Sequence, residues 1–246
     1  MARVVASIEA RMSSSRLPGK VLTDVAGKPA LTRLVERLKH AKLLDDIVLA
    51  TSLDRSDDAL EAWAAEQGVR CYRGSLNDVL DRVVRAHQMM QSEVIVEITG
   101  DCPLIDPAVI DLGIDTFFSN DCDVVSNTAR LSFPMGADVQ VFRAADLTWV
   151  SENIRDPAVR EHVSLYFYEH PDRYRIFHLR APPQWQAPDY RLQLDYPEDK
   201  QFIEEIYRRL EPNYGGAFGV PEIMELLRKS PELLDINRHC IEKETR

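Results

Sequence analysis

Through the first half of the chain, short β-branched runs alternate with segments whose apolar residues recur at helical spacing, and this alternation constrains the fold more than any other feature. The candidate strands are residues 3–8, 47–51, 69–72, 94–99 and 123–126. Between the first two, Leu31, Leu34, Val35 and Leu38 fall at i, i+3, i+4 and i+7, one apolar stripe along a helix; Val79, Val83, Ala86 and Met90 repeat the device between the third and fourth. Strands separated by helical crossovers pair in parallel, so the chain is expected to be α/β with the stripes buried as core.

After Asn127 the rhythm changes. Residues 137–142 read as a strand, 144–154 and 157–169 as helices, 174–179 and 190–194 as strands, and a helix starts near Pro197. The stretch 181–188 carries three of the 14 prolines and reads as a loop and possible hinge. Residues 220–228 read as a helix followed by a polar tail. With 246 residues the chain is one large domain or one domain with an appendage; we expect a single unit over 1–246 with an excursion at about 127–190.

Charge narrows the partners. Thirty basic against 40 acidic residues give a net charge of −10, the opposite of the basic footprint of a nucleic-acid binder, so any polyanion has to be met by a local cluster of cations. No apolar run approaches the roughly 18 residues of a membrane span, and residues 4–8 are too short for a signal-peptide core, so a cytoplasmic protein with no membrane partner is expected. Cys71, Cys102, Cys122 and Cys240 form no C-x-x-C pair and have no histidine at metal-ligand spacing; they read as reduced, small, buried side chains.

The cation cluster lies immediately after the first strand. Residues 10–20, A-R-M-S-S-S-R-L-P-G-K, hold Arg11, Arg16 and Lys20 with no carboxylate between Glu9 and Asp24. A loop at the carboxyl edge of an α/β sheet is where ligands bind, and successive serines offer hydroxyls and closely spaced N–H groups to a polyphosphate. It is not a Walker A loop, since Ser14 stands where Gly is required and Val21 where Ser or Thr would hold magnesium; it also lacks G-x-G-x-x-G. A solvated basic loop is the plainer alternative.

Two carboxylates complete the candidate chemistry. Asp101 follows the strand at 94–99 with Gly100 before it, which projects its side chain over the same sheet edge, although a turn residue bonding its own backbone has the same signature. Asp195 ends a strand three residues before Glu198, so a capping box is an equal reading. Paired across the edge, the two would suit Mg²⁺, which is held by one or two carboxylates together with substrate phosphates. Asp106, followed by Pro107, reads as an N-cap.

Residues 10–20 resemble the A-R-x-x-S-x-R-L-P-G-K signature of the cytidylyltransferases that activate acidic sugars as CMP derivatives. Gly27-Lys28-Pro29, residues 99–107 and residues 194–199 fall where that family has further signatures. Residues 73–82, Asn127 to Asp138-Val139, and Arg160-Glu161-His162-Val163 resemble its spore-coat polysaccharide branch. The likeness covers roughly residues 1 to 230. It implies a three-layer nucleotide-diphospho-sugar transferase fold with a mixed, mostly parallel sheet. It further implies transfer of CMP from CTP to an acidic sugar or related acceptor, with release of pyrophosphate, for surface polysaccharide synthesis. Arg11, Arg16 and Lys20 would grip the triphosphate, with Ala10, Ser13 and Thr99 also at the nucleotide; Arg73, Ser75 and Asp78 would lie along cytosine and ribose; Asp101 and Asp195 would hold Mg²⁺. The sugar-acid synthetases commonly carry Gln before Gly-Asp, where Thr99 stands here.

Nucleotidyl transfer depends on positioning and charge stabilisation, so Arg11, Arg16, Lys20 and Asp101 are the expected catalytic residues. No general base is assigned; His162 on its helix reads as structural or substrate-positioning. The alternatives are a nucleotidyltransferase for a sugar-1-phosphate or polyol phosphate, and a nucleotide-binding regulatory protein without turnover. The excursion after Asn127 resembles the element through which related synthetases pair, so a homodimer is expected.

Overall fold

The computed structural model describes residues 2–241. Seven strands form one sheet in the order β5-β4-β1-β6-β8-β7-β9. β1 (Val4–Glu9) lies inside it, paired in parallel with β4 (Asp46–Ser52) and β6 (Val94–Thr99), and β5 (Arg70–Gly74) extends the parallel set beyond β4. β8 (Gln140–Arg143) runs antiparallel to both β6 and β7 (Val124–Ser126), and β9 (Ile176–His178) closes the edge parallel to β7. The expected α/β architecture with a mixed, mostly parallel sheet is the one observed.

Helices cover both faces because β1, β4 and β6 are apolar on both sides. On one face pack α1 (Ala30–Leu38), α2 (Asp58–Gln67) and α4 (Pro107–Ser119), which meet Ala6, Ile8, Leu49 and Ile98. On the other, α3 (Val79–Met90), α5 (Ala144–Asn153), α6 (Pro157–Glu161) and α7 (Leu165–Glu169) meet Val5, Val48, Ala50 and Ile95. Gly113 lets α4 lie close to the sheet, for a Cβ there would stand 2.5 Å from a Val139 methyl. A third cluster joins α8 (Pro197–Tyr214) and α9 (Val220–Lys229) to Val25 of a small hairpin, β2 (Asp24–Val25) and β3 (Lys28–Pro29). No described helix is long and apolar enough to cross a membrane.

Four elements depart from the sequence reading. The helix expected at 157–169 breaks into α6 and α7, where His162 is extended and buried Ser164 turns its hydroxyl to Glu97. The strand expected at 137–142 shortens to β8 because the Asn127 side chain replaces ladder bonds, donating to the Ala137 carbonyl and accepting from Val139 N–H, both at 2.8 Å. Residues 190–194 make one isolated bridge, Met135 with Arg191, and are held instead by Leu192 N–H to the Met135 carbonyl and Leu194 N–H to the Asp101 carbonyl. The described part of the expected polar tail is folded: a 3-10 turn at Pro231–Asp235 buries Leu233, and Asn237 is 2% exposed. Residues 242–246 of that tail lie outside the described residues.

Candidate active site

A cleft of about 720 Å³ opens over the carboxyl ends of β1 and β6. Its floor is Glu9, Ala10, Thr99, Gly100 and Asp101, and the basic loop, Glu161, His162 and Tyr196 also line it, with Arg11 paired to Glu161 at 3.2 Å. Gly100 permits the floor to close, since a Cβ there would sit 2.8 Å from Ala10 Cβ and 2.9 Å from the Glu9 carbonyl oxygen.

The loop takes its shape from few anchors. Buried Asp57 accepts Met12 N–H at 2.7 Å and also binds the Ser52 hydroxyl, tying the loop to the end of β4. The Met12 carbonyl in turn accepts N–H groups of Ser14 (3.0 Å) and Gly19 (2.9 Å). Gly19 has φ +70°, a region in which glycine carries no steric cost, and this reversal starts the 3-10 turn Lys20–Leu22 with Val21 buried beneath it. Lys20 is thereby aimed across the sheet edge rather than into solvent.

Lys20 Nζ donates to both Asp101 Oδ2 and Asp195 Oδ1, the latter at 2.7 Å. Arg16 reaches the same Asp195 oxygen at 2.6 Å and lies over the Tyr196 ring. The other Asp195 oxygen accepts from Gln193 Nε2 at 2.9 Å, with Arg191 at 3.5 Å. The carboxylates, 94 positions apart in sequence, are brought side by side by the Leu194–Asp101 backbone bond (2.8 Å). Burial opposes the charge on Asp101, but Lys20 outweighs it and holds the carboxyl below its ordinary range; burial likewise opposes the Lys20 ammonium, and Asp101 with Asp195 outweighs it to raise Lys20.

The capping alternative for Asp195 is not what the structure shows. Asp199 does that work, accepting N–H bonds from Asp195 and Tyr196, each at 3.0 Å, which frees the Asp195 carboxylate for the two cations. Asp106 is the expected N-cap, bonded to Ala108 N–H at 2.8 Å, and its second oxygen also takes Val220 N–H at 2.6 Å, fastening α9 to α4.

Of the nucleotide residues expected from sequence, Ala10, Arg11, Ser13, Arg16, Lys20 and Thr99 line the cleft, as does Asp101, expected as a catalytic residue and metal ligand, whereas its expected co-ligand Asp195 is fully buried behind Lys20 and Arg16. Arg73, Ser75 and Asp78 do not. Arg73 is held by the carbonyls of Ser52 and Asp54 and by Asp58 and Glu61; the Ser75 carbonyl accepts from Arg82; and Asp78 caps α3 while pairing with Arg160 at 2.5 Å. Sequence reasoning missed Glu9, Arg82, Glu161 and Tyr196 in the lining. A glutamate in the run V-I-V-E-I-T was a legible signal for Glu97, because an acid inside a buried strand needs a reason. Cys240 also departs from the cysteine reading: its sulfur lies with His239 and Glu198, their ligand atoms within 4.8 Å of one another.

The mixed α/β sheet with a cation loop at its carboxyl edge is in keeping with the class its family shows, the nucleotidyltransferases. Residues 5–228 match the family described as Cytidylyltransferase, and the chain belongs to that family. It is 37% identical over 232 residues to the spore coat polysaccharide biosynthesis protein SpsF of Bacillus subtilis, covering 92% of this chain and 94% of the relative. It is 33% identical over 174 residues to the 3-deoxy-manno-octulosonate cytidylyltransferase of Chlorobaculum tepidum, covering 68% of this chain and 64% of that one. Among solved structures, a cytidylyltransferase of Leptospira borgpetersenii superposes with a TM-score of 0.89 at 29% identity, covering 99% of this chain and all (100%) of that one. The fold is shared with CMP:2-keto-3-deoxy-manno-octonic acid synthetase, whose structure holds CTP, at a TM-score of 0.61 and 19% identity over 85% of this chain and 99% of that one.

Proposed function

We propose that this chain transfers CMP from CTP to an acidic sugar or a related acceptor of surface polysaccharide synthesis, releasing pyrophosphate. The family supports CTP-dependent nucleotidyl transfer in general, and the names of the relatives, one for spore coat polysaccharide and one for a keto-sugar acid, support the acceptor class. The observation that carries the reading is the convergence of Asp101 and Asp195 on one ammonium in a cleft otherwise lined by Arg11, Arg16 and three serines.

That convergence is also the test of fit for a metal. One cation already spans both carboxylates, and a donor set of hard oxygens with room for phosphate suits Mg²⁺. Asp101 and Asp195 would hold it, and bound there it would withdraw charge from phosphate oxygens. The chain's own cations do the rest. Lys20 and Arg16 lie beside the carboxylates, within reach of the charge that builds on departing pyrophosphate, and Arg11 extends the same field along the floor. The serine-rich loop holds the triphosphate so that the acceptor oxygen approaches the α-phosphorus in line.

The test is pyrophosphate release by purified protein with Mg²⁺, each of the four ribonucleoside triphosphates, and a panel of acidic sugars, neutral sugars and sugar phosphates. Release with CTP and an acidic sugar is the expected result. Preference for another nucleotide, or turnover only with a sugar-1-phosphate or polyol phosphate, refutes the acceptor and donor assignment. CTP binding without release across the panel refutes the enzyme.

A further inference from the structure

A second pair of carboxyl groups lies at the cleft, Glu9 in its lining and Glu97 buried behind it. β1 and β6 are in register with Ser7 beside Glu97 and Glu9 beside Thr99, so Ser7, Glu9 and Glu97 share the sheet face covered by α3, α6 and α7. The same row continues as Gln140 beside Glu97 and Ser126 beside Gln140, a polar band across four strands of an otherwise apolar face. Glu97 is 5% exposed and accepts the Ser164 hydroxyl. Glu9 lines the cleft, and its Oε1 is buried without a hydrogen-bond partner. Arg82, 2% exposed, also lines the cleft and leaves Nε without a partner. Buried polar atoms are nearly always paired, so two orphans meeting at one floor mark a place where a ligand's polar group completes the set.

We propose that Glu9, backed by Glu97, accepts the proton of the attacking acceptor hydroxyl. This rests on the transfer reaction proposed above. The acceptor O–H gives its proton to the Glu9 carboxylate as its oxygen bonds to the α-phosphorus. The bond from that phosphorus to the bridging oxygen breaks, its electron pair leaves with pyrophosphate, and Glu9 later returns the proton to water through the open cleft.

The surroundings make Glu9 a stronger base than an exposed carboxylate. Burial raises Glu9 well above the usual carboxylate range, Glu97 on β6 raises it further, and Asp101 and Glu161 add to this, while Arg82 from α3 opposes. Glu97 is pushed up to about 7 by burial, with the Ser164 hydrogen bond acting against the rise. Arg11, Arg16 and Lys20 on the loop, His162 at the end of α6 and Tyr196 before α8 complete the charged and titratable groups lining the cleft, and the Tyr168 hydroxyl of α7 faces Glu97. Like charges on adjacent strands resist joint ionisation, so each carboxyl raises the proton affinity of the other.

The experiment measures pyrophosphate release from pH 5 to 9 for wild type, Glu9→Gln and Glu97→Gln, with thermal melts and calorimetric CTP binding on each. Wild-type kcat is expected to fall on an acid limb. Glu9→Gln is expected to lose about 10²–10⁴-fold in kcat and to lose that limb while binding CTP normally. Glu97→Gln removes the neighbouring negative charge and is expected to move the limb to lower pH, a shift that mere loss of packing does not produce. A folded Glu9→Gln enzyme that keeps kcat within about threefold with the limb unmoved overturns the assignment and leaves the transfer reaction standing. A folded wild type that binds CTP and turns over no acceptor overturns both.

Discussion

Replacing Lys20 with methionine isolates the clasp between the two edge carboxylates. The Lys20 and Asp101 side chains are 12% and 14% exposed and Asp195 is fully enclosed, so the pair belongs to the buried class. Removing one partner of such a pair costs about 3–5 kcal/mol, chiefly because a charge is left uncompensated. Asp195 keeps Arg16 at 2.6 Å and Gln193 at 2.9 Å, so the loss falls on Asp101 and lies at the lower end, about 3 kcal/mol. For a chain of this length that is a fall of about 6–12 °C in Tm at pH 7. The pH dependence has a defined sign. Lys20 depresses Asp101, so its stabilisation is present above the ordinary carboxylate range and is lost as pH falls through the depressed value. In Lys20→Met burial acts on Asp101 against only the Thr99 and backbone hydrogen bonds, its carboxyl protonates at higher pH, and the gap to wild type narrows on acidification. Scanning calorimetry from pH 8 to 4 reads both effects. Lys20→Met with Asp101→Asn should recover most of the loss, and millimolar Mg²⁺ without nucleotide should raise the Tm of Lys20→Met but not of wild type, whose ammonium already fills the position. A Lys20→Met protein melting within about 1 °C of wild type at neutral pH would refute the reasoning.

Asp101→Asn and Asp195→Asn should each cut pyrophosphate release by about 10²-fold or more, and the double variant should lose little further; additive losses would show that the two carboxylates do not act as a unit. Asp199→Ala should instead act on stability, costing at least about 1 kcal/mol through the N–H bonds at the start of α8, which chemical denaturation measures. His87 is held neutral by burial, its value lowered to about 3, so native stability falls as pH drops from about 6.5; His87→Gln should flatten the Tm profile there, and an unchanged profile would contradict the burial argument. β9 ends the sheet with Phe177 37% exposed, and light scattering at micromolar concentration should give twice 28.1 kDa; a monomer mass would count against pairing.

The sheet was legible because its strands are short, β-branched and spaced by amphipathic helices, a pattern set by local chemistry. The basic loop was legible for the same reason, as three cations stand within eleven consecutive residues. What escaped was set by contacts between distant segments. Residues 190–194 look like a strand, yet they lack an open partner along their length and are fixed by Met135 and Asp101. Spacing could not separate the two roles of Asp195 and Asp199, because both stand at the start of α8 and only the position of Lys20 assigns the charge to one of them. Arg73, Ser75 and Asp78 were placed at the nucleotide by resemblance, but their partners Asp58, Glu61, Arg82 and Arg160 lie on three other helices and give no local sign.

The bond from Leu194 N–H to the Asp101 carbonyl bears on the order in which the protein matures. During synthesis the basic loop and Asp101 leave the ribosome long before Asp195 does. Until residues 191–199 are in place, Lys20 and Arg16 lack the Asp195 carboxylate that pairs with both. The arrival of residues 191–199 supplies that carboxylate, with the Leu194–Asp101 bond setting its place beside Asp101. Completion of the cleft is thus tied to completion of the fold.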